Sequence, residues 1–177
     1  VDPALIDRLL AAASYAPTGK NVRRVHFTVI DTRAAMDRFR NEAMALLAER
    51  ARDGALPAGM EFLAEHLKRW QDGKVDSIFR GAPHWLIASA PRDCPTPEAD
   101  CLIALSYFEL LAQSHGVGTV WTGVGTRLIS TALPELREKL GIPEDHIIGY
   151  AMAFGMPLAA YPRTVKHTPF KTVKISS

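Results

Sequence analysis

The chain reads as a single domain of mixed helices and strands, with a sheet lying between helices. Three observations predict this. Helical and strand-like periodicities alternate in the order α-β-α-α-β-α-β-α-β. No repeat, low-complexity tract or linker-like shift of composition divides the 177 residues, a length that buries roughly 70% of its unfolded surface in one domain. The hydrophobic content of 47% is that of a packed protein and excludes a disordered one. The helices are too long for a simple two-layer hairpin fold, which favours a sheet flanked by helices.

The first helix is expected from Asp2 to Tyr15, with Asp2 as cap, Pro3 at the first helical position, and Leu5, Ile6, Leu9, Leu10 and Ala13 on one face. It stops at Ala16-Pro17, because a residue before proline is pushed out of the helical region. After the polar loop Thr18-Gly19-Lys20-Asn21, Val25 to Ile30 is a β-branched strand. Asp31 or Thr32 caps a long helix to about Arg52, broken by Asp53-Gly54-Ala55-Leu56-Pro57. A third helix runs from Met60 to Trp70, and the polar connector Gln71 to Arg80 is expected to be exposed. His84 to Ala90 is a near-continuous apolar run, the pattern of a central strand. Pro91 to Pro97 holds three prolines and is expected to be irregular. Leu133 to Leu140 is a short helix stopped by Gly141-Ile142-Pro143, His146 to Gly155 a strand, and Met156 to Ser177 an extended arm.

The chain is organised around Asp100 to Arg127. Between Cys101 and Ala112 only Ser106 and Glu109 interrupt apolar residues that cover nearly every face of a helical wheel. Such a helix is buried in a large core or between subunits. No run reaches the roughly 18 apolar residues of a membrane span, so no membrane partner is expected. Gly116 stands where a helix-ending glycine belongs. Val117 to Thr122 then reads as a short strand leading into the glycine loop Thr122-Gly123-Val124-Gly125. Glycines there let the backbone approach a flat ligand with its N–H groups free. The same residues also fit a helix stop and an ordinary turn. They are not a dinucleotide fingerprint: counting G-x-G-x-x-G from Gly116 or from Gly123 puts Trp121 or Leu128 at the third glycine.

Other chemistries find little support. A net charge of +2 with scattered basic residues argues against a nucleic-acid partner. Cys94 and Cys101, seven apart, match no redox or zinc pattern, and the six histidines form no metal-binding array, so no metal is expected. No G-x-S-x-G surrounds any serine. With two cysteines and no signal peptide, a cytoplasmic setting is the expectation. The sequence starts at Val1, directly on a helix cap, which suggests a piece of a longer polypeptide.

Taken together, five stretches resemble the FMN-dependent nitroreductase family, in that family's order. They are AAASYAPTGKNVRRVHFTVI from Ala11, FRGAPHWLIASA from Phe79, DCLIALSYFELLAQSHGVGTVWTGVG from Asp100, LGIPEDHIIGYAMAFGMP from Leu140 and YPRTVKHTPFKTV from Tyr161. The first resembles the family's A-P-S/T-x-x-N loop, the third its central helix, strand and flavin-facing loop, and the fifth its basic arm. The resemblance implies an α+β fold with a central mixed sheet flanked by helices, in an intertwined homodimer binding FMN between its subunits.

It further implies roles for single residues. Gly123 and Val124 would turn their backbone to flavin N5. Pro17, Thr18, Gly19, Asn21 and Arg23 would lie in the loop along the flavin, Asp100 near the ring, and Trp121 and Thr122 on the strand end beside it. Arg163, Lys166 and His167 would form the basic arm reaching the phosphate. A reducible flavin needs these features: a donor near N5, donors at its carbonyls and positive charge at its phosphate. The implied activity is ping-pong hydride transfer through flavin N5 from NAD(P)H to a nitroaromatic, quinone or similar small-molecule acceptor, with no covalent nucleophile. Reduced ferredoxin is the rival donor.

The chain departs from the family at three places. Arg23-Arg24-Val25 stand where Gln-Pro-Trp is usual, and His167-Thr168 where Arg and Lys are usual. A phosphate-holding R-x-S-x-R segment would belong upstream of Val1. The expectation is therefore a nitroreductase-like domain over 1–177 lacking that segment, most like members with an N-terminal ferredoxin-like iron–sulfur domain. Two rival readings remain: a flavin-binding module without turnover, and a cofactor-free module of a larger protein.

Overall fold

The number of helices between successive strands sets the sheet. The computed structural model describes residues 1–159, 166 and 168–175. Helix α1 spans Pro3–Ala13, strand β1 His26–Ile30, α2 Arg33–Arg52, α3 Leu63–Gly73, β2 His84–Pro91, α4 Pro97–Ser114 and β3 Gly118–Trp121. A short helix α5, Gly123–Arg127, runs into a π turn at Leu128–Ala132, followed by α6, Leu136–Lys139, and β4, His146–Gly155. Two helices separate β1 from β2, so the chain returns to the end where β1 finished and β2 runs back beside it. One helix, α4, separates β2 from β3, which therefore point the same way. Strand β4 inserts between them, giving the order β1-β2-β4-β3. The sheet expected to be mixed is thus antiparallel at every described pairing, because its parallel strands are not neighbours.

Strand β2 is buried along its whole length, as its apolar run predicts. Its side chains alternate between two cores. Trp85 and Ile87 pack with Met36, Phe39 and Phe79 beneath α2 and α3. Leu86, Ala88 and Ala90 pack with Leu9, Leu105 and Phe108 beneath α1 and α4. The result is three layers with the sheet in the middle. Phe108 meets Phe154 edge-on at 5.2 Å, and Trp85 meets Phe79 at 5.1 Å, both at ordinary aromatic packing distances.

The sequence signals for the helix starts act as expected at α1 and α2. The Asp2 carboxylate accepts from Ala4 N–H at 2.9 Å and the Thr32 hydroxyl from Ala35 N–H at 3.2 Å. Helix α4 begins earlier than expected: Thr96 precedes it and Pro97 opens it, leaving Asp100 in its first turn. The connector expected to be exposed is so only in part: Gln71 to Val75 and Arg80 are exposed, but the stretch between them turns inward. Helix α3 continues to Gly73, and Ile78 and Phe79 are then buried. Asp76 turns them inward by accepting from the N–H groups of Ile78, Phe79 and Gly81, while Arg40 donates to its other side.

Helix α4 buries one face, with Cys101, Ala104, Leu105, Phe108 and Ala112, against the sheet and α1. Its other face leaves Leu102, Ile103, Tyr107 and Leu110 exposed in the single chain, Leu110 at 68%. Among the described residues no helix is long and apolar enough to cross a membrane.

Candidate functional site

Ala16-Pro17 ends the first helical segment, and the chain then makes a turn that few sequences would choose. Lys20, Asn21 and Arg23 all have left-handed backbones, with φ of 51°, 57° and 51°. Such conformations in non-glycine residues persist only where the surroundings over-determine them. Here the Thr18 carbonyl accepts from Asn21 N–H at 2.9 Å, the Thr18 hydroxyl from Arg23 N–H at 2.9 Å, and Asn21 Oδ1 from Arg23 Nε at 2.8 Å. Gly19 N–H points inward and donates to Asp100 Oδ1 at 2.8 Å, and the Thr96 hydroxyl donates to the same oxygen at 2.9 Å. A Cβ on Gly19 would lie 2.1 Å from Thr96 Oγ1, so a side chain there would have to displace the Thr96 hydroxyl. Pro17, Asn21 and Arg23 are exposed, Thr18 and Gly19 half-buried. Asp100 is 2% exposed, and its Oδ2 has no partner among the described residues.

The residue after Asp100 anchors the same turn of α4 to the sheet. The register between β2 and β4 shifts at Ala88/Ser89, leaving Gly149 as an extra residue on β4. A Cβ on Gly149 would lie 2.2 Å from the Cβ of Cys101, so the bulge and the missing side chain together admit α4. Burial pushes the Cys101 thiol up to about 12, and it stays protonated at neutral pH.

Beyond the bulge, a cleft of about 470 Å³ is lined by Phe62, Gly123, Val124, Arg127, Gly149 and Tyr150, with Thr126 beneath. This volume lies within the roughly 300–1,000 Å³ of small-molecule sites. Gly123 and Val124, expected in a loop, instead begin the short helix α5. A first helical turn leaves its N–H groups without intrahelical acceptors. Thr122 fixes that start. Its N–H donates to the Ala151 carbonyl, its hydroxyl accepts from Trp85 Nε1 at 2.8 Å and donates to Ala151, and its carbonyl accepts from Thr126. Every polar atom of Thr122 is thus engaged inside the chain. Trp121 likewise donates from Nε1 to Glu109 at 2.9 Å and packs edge-on against Tyr150 at 5.4 Å.

Five of the lining residues, Phe62, Thr126, Arg127, Gly149 and Tyr150, are not among the sequence candidates. Phe62 falls within the span of the third helix, Gly149 and Tyr150 lie inside an apolar strand, and Thr126 and Arg127 simply follow the glycines. In the fold, Arg127 sits 4.9 Å over the Phe62 ring and donates to the Gly59 carbonyl at 3.1 Å. A Cβ on Gly123 would lie 2.5 Å from the Tyr150 hydroxyl. No signal in the sequence pairs residues so far apart along the chain. Lys166 is exposed, and Arg163 and His167 lie outside the described residues.

The site residues thus form two groups, the turn at 17–23 and the cleft at Gly123, joined by the first turn of α4. Solved structures share this architecture. The chain is 21% identical to a nitroreductase with bound FMN from Bacteroides fragilis, covering 98% of this chain and 89% of that one, with a TM-score of 0.73. A nitroreductase with bound FMN from Desulfitobacterium hafniense is 24% identical, covering 94% and 84%, with a TM-score of 0.68. A protein proposed to be a NADH dehydrogenase/NAD(P)H nitroreductase from Bacteroides thetaiotaomicron is 25% identical, covering 95% and 82%, with a TM-score of 0.60. A search of curated proteins finds no match. The sequence model of the nitroreductase family matches residues 1–156, from α1 to the end of β4. The chain therefore belongs to the nitroreductase family.

Proposed function

We propose that the chain is an FMN-dependent oxidoreductase that takes electrons from NAD(P)H and delivers them to a nitroaromatic, quinone or similar small-molecule acceptor. The observation that carries this reading is the cleft at the start of α5, lined by Gly123, Val124 and Tyr150. The FMN-bound relatives and the family membership support the cofactor. The name of the Bacteroides thetaiotaomicron relative supports the donor.

The residues present suit a flavin. When bound, FMN supplies two-electron redox chemistry at its N5. This chain's share is to bind, orient and exclude water. Gly123 offers its N–H without a side chain in the way, with Val124 next to it, and Thr122 holds this start through its five internal hydrogen bonds. Phe62 and Tyr150 give the cleft apolar walls, and Arg127 adds positive charge at its rim. The turn from Pro17 to Arg23 offers exposed polar groups, and Arg23, Arg163, Lys166 and His167 are the candidate phosphate partners. The buried Cys101 thiol stays protonated and provides no nucleophile.

The working unit in this reading is a homodimer in the cytoplasm. The exposed apolar face of α4 supports the dimer, and two cysteines present as free thiols suit a reducing compartment. Ferredoxin, or a fused iron–sulfur domain, stays the rival donor. The test is direct: incubate the protein with FMN, remove free flavin, and record absorbance where oxidised flavin absorbs. The retained band is expected to bleach anaerobically with NADH or NADPH and to return on adding a quinone. A protein that retains no flavin at micromolar FMN sinks the reading. Bleaching by reduced ferredoxin but by neither nicotinamide replaces the donor.

A further inference from the structure

We infer that Asp100 is a positioning residue that holds the strained turn from Thr18 to Arg23 ready for the cofactor, through its hydrogen bond from Gly19 N–H. The inference rests on the FMN reading above. Four facts point to it. A backbone N–H in a surface turn ordinarily finds water, yet Gly19 N–H is drawn inward to a carboxylate that is 2% exposed and belongs to another element. The turn it holds contains three left-handed non-glycine residues within four positions, a conformation that would relax without an external restraint. Thr96 completes the latch, since it donates to the same oxygen and its hydroxyl crowds the place of a Cβ on Gly19.

The fourth fact concerns the other oxygen. Buried carboxylate oxygens are normally satisfied, because an unpaired one costs stability. Asp100 Oδ2 is buried without a partner among the described residues. Oδ1 alone therefore does the holding, accepting from both the Gly19 N–H and the Thr96 hydroxyl, and an acceptor oxygen at that position is what the latch requires. The turn is thus gripped hard at Gly19, leaving Lys20, Asn21 and Arg23 presented at the surface.

Hydrogen exchange and FMN titration test the role together. In FMN-free protein, Asp100→Ala is expected to raise amide exchange at Gly19 to Asn21 at least tenfold. In fluorescence titrations it is expected to weaken FMN binding at least tenfold, while Asp100→Asn, which keeps an acceptor at Oδ1, stays within about threefold of wild type. If Asp100→Ala does not fold, the steric arm decides. Gly19→Ala should weaken FMN binding by pushing on Thr96 Oγ1, and Gly19→Ala/Thr96→Ala should restore much of it. Thr96 makes no side-chain cap bond, so its replacement loses only its own bond to Asp100 Oδ1 and leaves the Gly19 bond to that oxygen in place. Wild-type protein that binds no FMN overturns the function reading. Wild-type protein that binds FMN while Asp100→Ala binds it equally well overturns this inference alone. Asp100→Asn as weak as Asp100→Ala also overturns it, since the Gly19 bond would not be what matters.

Discussion

Arg40 Nε lies 2.7 Å from Asp76 Oδ2, and both side chains are almost wholly buried, at 8% and 6% exposure. The guanidinium also donates to the Ala82 carbonyl at 2.8 Å. This pair fixes the entry to β2, because the same Asp76 carboxylate gathers the N–H groups of Ile78, Phe79 and Gly81. Burying a charge pair is costly, and without Asp76 the buried Arg40 guanidinium keeps only the half-exposed Asp37 carboxylate as a charged partner, while three N–H groups lose their acceptor. Asp76→Ala is therefore expected to cost about 3–5 kcal/mol, read as a fall in the urea midpoint. A loss under about 1 kcal/mol, the scale of a surface pair, would mean that Arg40 finds other partners and the pair is not what shapes the connector.

At the cleft, Gly123 faces Tyr150. Gly123→Ala is expected to weaken FMN binding by about tenfold, or about 1.4 kcal/mol, because its new methyl meets the Tyr150 hydroxyl at 2.5 Å. Adding Tyr150→Phe removes that hydroxyl and should recover most of the loss. Titrating FMN against wild type and both variants decides it. No recovery in the double variant would place the cofactor elsewhere.

The apolar face of α4 gives a prediction about assembly. Leu110 is 68% exposed and Tyr107 42% exposed, a patch that association would cover. Leu110→Asp is expected to shift the protein from dimer to monomer in sedimentation at micromolar concentration. A wild-type monomer, or an unchanged dimer in the variant, would refute this interface.

Acid is expected to destabilise the fold, starting near the unperturbed histidine value. Burial, the largest cause in each case, lowers the pKa of His66, His84 and His146. The folded state therefore holds these rings neutral where the unfolded chain already protonates them. Their stability contribution is complete above the unfolded value of about 6.5. It is lost as the pH falls below that value, levelling off under the lower folded-state values. Melting temperatures measured from pH 8 to pH 5 should fall below about pH 6.5, and His146→Gln should flatten part of the slope. His146 is the ring to change because Nδ1 lies 3.0 Å from the buried Ser89 hydroxyl, a bond that an amide can replace. A profile that rises toward acid would contradict the direction.

Local chemistry determined much of this protein. The caps at Asp2 and Thr32, the Ala16-Pro17 stop, the apolar β2 run and the strand His146–Gly155 were legible because each depends on neighbours within a few residues. So was the nitroreductase family, whose motifs recur in order along the chain. Other features needed the fold. The antiparallel sheet depends on β4 wedging between β2 and β3, a choice made by packing and not by either strand's own pattern. The connector at Asp76 looked polar and exposed because its partner, Arg40, stands in a different helix. The glycine loop became a helix start because Thr122 is held by Trp85 and Ala151. Asp100 could be chosen from the sequence, but its grip on Gly19 could not, since the two lie far apart in the chain. The sequence determined most of the elements and their order along the chain. The tertiary structure decided which polar atoms meet, because burial makes an unpaired group costly and only the assembled layers supply its partner.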